Sequence, residues 1–150
     1  MEESVNTSEG LVECFKKELG VKAQRLNTYS PLTLAYIGDS VFDLLVKTYF
    51  VSKMNMQANK YHKLTSNVVK AKAQADMLKA IEDDLSEEEL DIYKRGRNSH
   101  PYNKAKNASR MEYLEATGFE ALVGYLYLDA RYERLVKLLR LGFERTGVVQ

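Results

Sequence analysis

The sequence predicts an all-α fold, a helical bundle, and three features point to it. Proline and glycine are scarce, at 2 and 8 of 150 residues, too few for a chain of strands and tight turns. Lys, Glu, Leu and Ala, all good helix formers, are plentiful. Apolar residues recur at three- and four-residue intervals behind serine or proline start signals. With 45% hydrophobic and 29% charged residues the chain can build one compact core, which excludes wholesale disorder and leaves little room for a second domain.

Residues 1 to 7 are polar; behind Ser8 as a cap, Leu11, Val12, Phe15 and Leu19 predict a short leading helix. Ser30 and Pro31 form an entry signal, with the serine as N-cap and the proline at the first helical position, so a long helix follows to about residue 51. Lys53 to Asn59 is a connector. From Lys60 to Ile81 the stripe Leu64, Val68, Ala71, Ala75 and Leu78 predicts helix again, bent or divided at the β-branched pair Val68 and Val69. Ser86 and Glu89 have capping-box spacing and open a helix to about Asn98. Residues 99 to 108 carry a proline, two asparagines and no apolar period, a long loop of the kind that often carries function. Ser109 and Glu112 repeat the capping-box spacing ahead of an apolar helix to about Asp129, and Leu135, Leu138 and Leu139 mark a last amphipathic helix.

Composition narrows the function classes. The net charge of +1 carries no nucleic-acid signal by itself, because a total says nothing about distribution. The single cysteine, Cys14, cannot form an intramolecular disulfide and suits a reducing compartment. No secretory leader pattern opens the chain and no segment has the length to span a bilayer, so a cytoplasmic location is expected.

Two acids stand in unusual company. Within one helical turn Asp39 has Ala35, Tyr36, Phe42 and Asp43 on its own face, and the opposite face is apolar too, so the helix is expected to be buried on most sides. Glu120 is the only charge between Phe119 and Leu128 and is expected to lie deep as well. An ionised carboxylate buried without a partner costs several kcal/mol, comparable with a domain's whole stability. Each acid is therefore either neutralised by a basic side chain or a helix end, or holds a metal. Gly38 and Gly118, beside them, allow close backbone approach, so the two helices can cross and bring the acids together. A carboxylate pair completed by water suits Mg²⁺. Asp43 and Asp129 are competing acids: Asp43, one turn from Asp39, is read as a partner of a metal-bound water or equally as a cap, salt bridge or solvated edge, Asp129 as a structural residue ending its helix beside Arg131, and His62 and His100 are given no catalytic role.

Basic charge is segregated. Lys94, Arg95, Arg97, Lys104, Lys106 and Arg110 fall in an interval without acids, and Lys60, Lys63, Lys70 and Lys72 form a second run, whereas residues 82 to 91 concentrate acids. A solvated charged face accounts for either run, but KRGRN at 94 to 98 combines Arg95, Arg97 and Asn98 with a glycine and a polar loop, donors suited to phosphate and sugar on a helix recognised by shape, such as double-stranded RNA.

These residues carry a resemblance. LAYIGDSVFDLLV at 34 to 46 resembles the signature helix of the ribonuclease III catalytic domain, and ATGFEALVGYLYLD at 116 to 129 resembles its second catalytic helix. The absence of a double-stranded-RNA-binding domain from these 150 residues, with AKAQA at 71 to 75 and KRGRN, is similar to the Mini-ribonuclease III branch. The similarity covers about residues 30 to 140. It implies a ribonuclease III-like catalytic domain over 27–150 behind a partly helical extension at 1–26, a homodimer with an RNA-binding valley, and Mg²⁺-dependent hydrolysis of both strands that leaves 5′-phosphate and 3′-hydroxyl ends.

By position, Asp39 and Glu120 match the family's signature aspartate and helix glutamate, and Tyr36 the aromatic position associated with the dimer contact. The implied substrate is a precursor of large-subunit (23S) ribosomal RNA, with a ribosomal protein as a further partner on it. Where the fuller family pattern has a second glutamate and a second aspartate, this chain has Ala35 and Thr117. That reduction motivates a competing expectation, a non-catalytic RNA-binding or ribosome-assembly module that keeps the fold.

Overall fold

The protein is described by a computed structural model over residues 10–99 and 108–149. Among these residues there are seven α-helices, two short 3-10 turns and no strand. The helices are α1 Leu11–Leu19, α2 Pro31–Lys53, α3 Ala58–Val69, α4 Ala71–Ile81, α5 Glu87–Arg97, α6 Ala108–Leu128 and α7 Tyr132–Thr146.

Local chemistry sets most of the boundaries. Ser30 Oγ accepts from the Thr33 amide at 3.1 Å and Pro31 occupies the first turn of α2. Ser86 and Glu89 close both arms of their capping box at the head of α5. The division near Val69 is real: Lys70 adopts an extended conformation, ending α3 and starting α4. Two predicted caps are corrected. Gly10, not Ser8, precedes α1 and gives no side-chain bond, and Ser8 itself lies outside the described residues. Ser109 is already helical because α6 starts at Ala108, so it is not the N-cap; residues 100–107, most of the predicted loop, fall outside the described residues.

Helix α6 is the centre of the bundle, with α2, α4, α5 and α7 packed around it. On its covered face α2 buries Leu34, Gly38, Phe42, Val46 and Phe50 at four-residue spacing, one ridge of which Leu34, Gly38 and Phe42 meet α6. Phe42, with no exposed surface, meets Phe119 edge to face at 5.1 Å and stacks on Phe143 of α7 at 6.1 Å. Helix α7 is tied down electrostatically. Arg134 donates to both oxygens of the fully buried Glu89, at 2.8 and 2.7 Å, and to the Asp84 carbonyl at 2.7 Å.

The expectation that α2 is buried on most sides is overturned. Only one face is covered; Tyr36 is 78% exposed, and Leu44, 60% exposed, lines an open apolar groove of about 420 Å³ with Ile37, Val41, Tyr127, Val136 and, from α1, Leu11. A helix that is apolar all round has more apolar surface than one chain's bundle covers.

Candidate active site

The crossing of α2 and α6 is made by glycine. A Cβ on Gly38 would stand 1.8 Å from the Glu120 carbonyl oxygen, and one on Gly124 would stand 1.9 Å from that of Leu34. The two backbones therefore touch directly, which no other residue type permits. Gly38 has the predicted role, whereas its partner is Gly124. Gly118 also allows close backbone approach, but toward α5: a Cβ there would stand 2.6 Å from both the carbonyl oxygen and the ring of Tyr93, because it lies on a different face of α6.

That contact brings the two acids together. Asp39 follows Gly38, and Glu120 lies one turn before Gly124, so their carboxyls come close enough for each to act on the other. Their surroundings differ from the expectation of two buried acids. Asp39 is exposed, because it sits at the uncovered edge of α2, while Glu120 is half-buried. Burial first, then the negative charge of Asp39 and the hydrogen bond to it, push the Glu120 carboxyl up to about 8, and a hydrogen bond from Gln74 opposes them. Two carboxyls held against each other at a solvent-reached edge are the donor set of a hard cation. Among the described residues no group of three or more His, Cys, Asp or Glu side chains could hold a metal, so protein oxygens supply only part of such a shell.

The positions that depart from the fuller family pattern are filled otherwise. Ala35 is buried in the core, and the Thr117 hydroxyl donates to the Tyr113 carbonyl at 3.0 Å. Asp43 pairs with Lys47 at 2.9 Å, one of its open readings, and Asp129 is exposed after the end of α6.

The basic residues flank this centre along the chain. Lys94 and Arg95 are exposed in the last turn of α5, where cations also favour the helix terminus. Arg97 lies over the Tyr93 ring at 5.4 Å and donates to Asn98 Oδ1 at 3.3 Å. Between the two arginines, Gly96 is pressed against Thr117, Gly118 and Ala121, on the turn of α6 that carries Glu120. Lys70 sits at the α3–α4 break and Lys72 one turn before Asp76, with which it pairs at 3.2 Å. Lys104, Lys106 and His100 lie outside the described residues; His62 is exposed on α3. Two contributors escaped the sequence reading. Gly124 lies one turn from Glu120 on the same face of α6, and Gln74 is the lone amide interrupting the apolar stripe of α4.

Comparison with known proteins places the chain. Residues 32–131 match the model of the Ribonuclease III domain. Mini-ribonuclease 3 of Clostridium tetani is 46% identical over 119 residues, 79% of each chain. The chain belongs to the ribonuclease III family, in its Mini-ribonuclease 3 branch. Mini-ribonuclease 3 of a Thermoanaerobacter species is 50% identical over 115 residues, 77% of this chain and 81% of that one. The crystal structure of a Fusobacterium nucleatum protein superposes with a TM-score of 0.68 at 32% identity, covering 77% of this chain and 93% of that one. As a member of this branch the protein is an endoribonuclease, and the all-helical ribonuclease III fold is the one expected from its motifs. No described helix is long and apolar enough to cross a membrane.

Proposed function

We propose that the protein is a Mg²⁺-dependent endoribonuclease that cleaves double-stranded RNA, with Asp39 and Glu120 as the metal-holding, catalytic pair. The observation that carries this reading is the meeting of the two carboxyls at the Gly38–Gly124 crossing. Bound there, Mg²⁺ activates water and offsets the charge that builds on the phosphoryl group. The chain's own part is to hold two acids in register on two rigid helices and to present one of them, Asp39, to solvent and substrate. Phosphodiester hydrolysis in this mode leaves 5′-phosphate and 3′-hydroxyl ends.

Lys94, Arg95, Arg97, Asn98, Lys70 and Lys72, with Lys104 and Lys106, contact the RNA backbone. The substrate is a precursor of 23S ribosomal RNA, met in the cytoplasm together with a ribosomal protein bound to it. Residues 27–150 form the catalytic domain and 1–26 an extension. A homodimer forms through the uncovered face of α2, which carries the exposed Tyr36 and, in the apolar groove, Leu44. This is what an exposed patch of Tyr36, Leu44, Tyr132 and Val136 on an otherwise well-packed bundle favours.

Incubation of a long RNA duplex with and without Mg²⁺, using wild type, Asp39→Ala and Glu120→Ala, tests the reading. Cleavage by wild type alone, and only with metal, is expected. Cleavage that survives both substitutions overturns the assignment, and RNA binding without any cleavage favours the non-catalytic module.

A further inference from the structure

The Asp39–Glu120 pair accounts for the charges at the helix crossing but not for the amide beside them. Gln74 lies on the inner face of α4 and is 1% exposed. Its Nε2 donates to the Val69 carbonyl at 3.0 Å, across the α3–α4 break, and its amide lies close enough to the Glu120 carboxyl to favour the charged form of that acid. Its Oε1 is buried and has no hydrogen-bond partner among the described residues. A buried amide oxygen without a partner weakens a fold, whereas methionine, of the same length, would forgo both that oxygen and the bond to Val69. The Val69 bond therefore accounts for the donor end of the amide but not for its buried acceptor end.

We propose that Gln74 is a positioning residue of the acid pair. Its Nε2, anchored by Val69, orients the Glu120 carboxyl toward Asp39, and its Oε1 offers an acceptor to a hydrated divalent cation held by the two acids. A cation with few protein ligands keeps most of its water, and that water needs acceptors; a neutral amide supplies one without adding a third charge. The same anchor couples the centre to the α3–α4 break, so Lys70 and Lys72 are placed within the turn leading to Gln74. Positioning of this kind is worth on the order of 10- to 100-fold in metal affinity.

The inference rests on the metal reading of Asp39 and Glu120, and the test separates the two. Mn²⁺ is titrated into wild type, Gln74→Met, Gln74→Glu, Asp39→Ala and Glu120→Ala, free ion is followed by electron paramagnetic resonance, and the Tm of each metal-free protein is measured. Gln74→Met is expected to hold Mn²⁺ about tenfold more weakly or worse, with the fold retained and a metal-free Tm little changed, since it loses the Val69 bond together with the unpartnered Oε1. Gln74→Glu, which adds a charge at the same reach, is expected to hold it more tightly. Wild-type affinity in both Gln74 variants overturns the inference and leaves the metal reading standing. So does a Gln74→Met protein that loses Tm while its folded fraction binds as wild type. Mn²⁺ binding that survives both Asp39→Ala and Glu120→Ala overturns the metal reading and the inference with it.

Discussion

Replacing Gly124 by alanine should damage the site more than the fold. The added Cβ would stand 1.9 Å from the Leu34 carbonyl oxygen, against an ordinary contact of 3.4 Å or more, so α2 and α6 must part by about 1.5 Å. The atom in the way belongs to a helix backbone and cannot rotate aside. Overpacking of this sort costs about 3 kcal/mol, the upper end of the usual range, and lowers Tm by roughly 6 to 12 °C for a chain of this size. The separation acts directly on Asp39 and Glu120, which flank the contact, and a misplacement of about 1 Å in a catalytic group costs on the order of 100-fold in rate. Initial rates on an RNA duplex, measured well below the variant's Tm, should therefore fall by about two orders of magnitude while circular dichroism shows a folded helical protein. Gly20→Ala is the control, since Gly20 has φ +66° in open space. It should cost about 1 to 2 kcal/mol of stability and leave the rate intact. A Gly124→Ala protein that is folded and as active as Gly20→Ala would refute the idea that the glycine contact sets the distance between the acids.

Three further outcomes follow from the same geometry. Because Glu120 is pushed up to about 8 from 4.5, the folded protein holds a proton that the unfolded chain releases, so in the absence of metal its stability should fall as pH rises between those values. Tm measured with chelator from pH 5 to 8 should show this decline in wild type and a flatter profile in Glu120→Gln; parallel profiles would contradict it. Arg134→Ala strips Glu89 of its bidentate partner and leaves it the Ser86 amide and, as its cationic partner, Arg131 at 3.9 Å, which should cost about 3 kcal/mol by thermal or urea melting. The Arg134 hydrogen bonds hold the Glu89 carboxyl below its usual 4.5, so this contribution is present above that value and lost as pH falls through the lowered one. Arg95→Ala and Arg97→Ala should each weaken RNA binding and flatten its salt dependence by about 0.9 log unit per lost phosphate contact, the duplex-DNA value; an unchanged slope would remove that residue from the interface.

What was legible in the sequence was mostly local. Ser30 with Pro31, and Ser86 with Glu89, announce helix starts because the cap and its acceptor lie within one turn, and the structure uses both. The break at Lys70 was legible in the β-branched pair before it. The pairing of Asp39 with Glu120 was legible in outline, since two lone acids on apolar helices require a shared explanation. Less visible was which apolar surface one chain covers: α2 is apolar all round, and nothing in its period distinguishes the ridge packed on α6 from the face around Tyr36 and Leu44 that stays open. Asp39 was consequently expected to be buried and is exposed. Choosing Gly118 over Gly124 failed for a related reason. The rotation of α6 about its axis is set by α5 through Tyr93 as much as by α2, and that is a tertiary fact. Gln74 was visible only as a polar interruption of a stripe, which at sequence level is indistinguishable from a helix edge.

Asp39 and Glu120 are proposed to act as one cation site. Anomalous scattering from crystals of the active protein soaked in Mn²⁺ tests it directly. A manganese peak within coordinating distance of both carboxyls is predicted, with the rest of its shell filled by water. A peak bound by other acids, or none at this crossing, would contradict it.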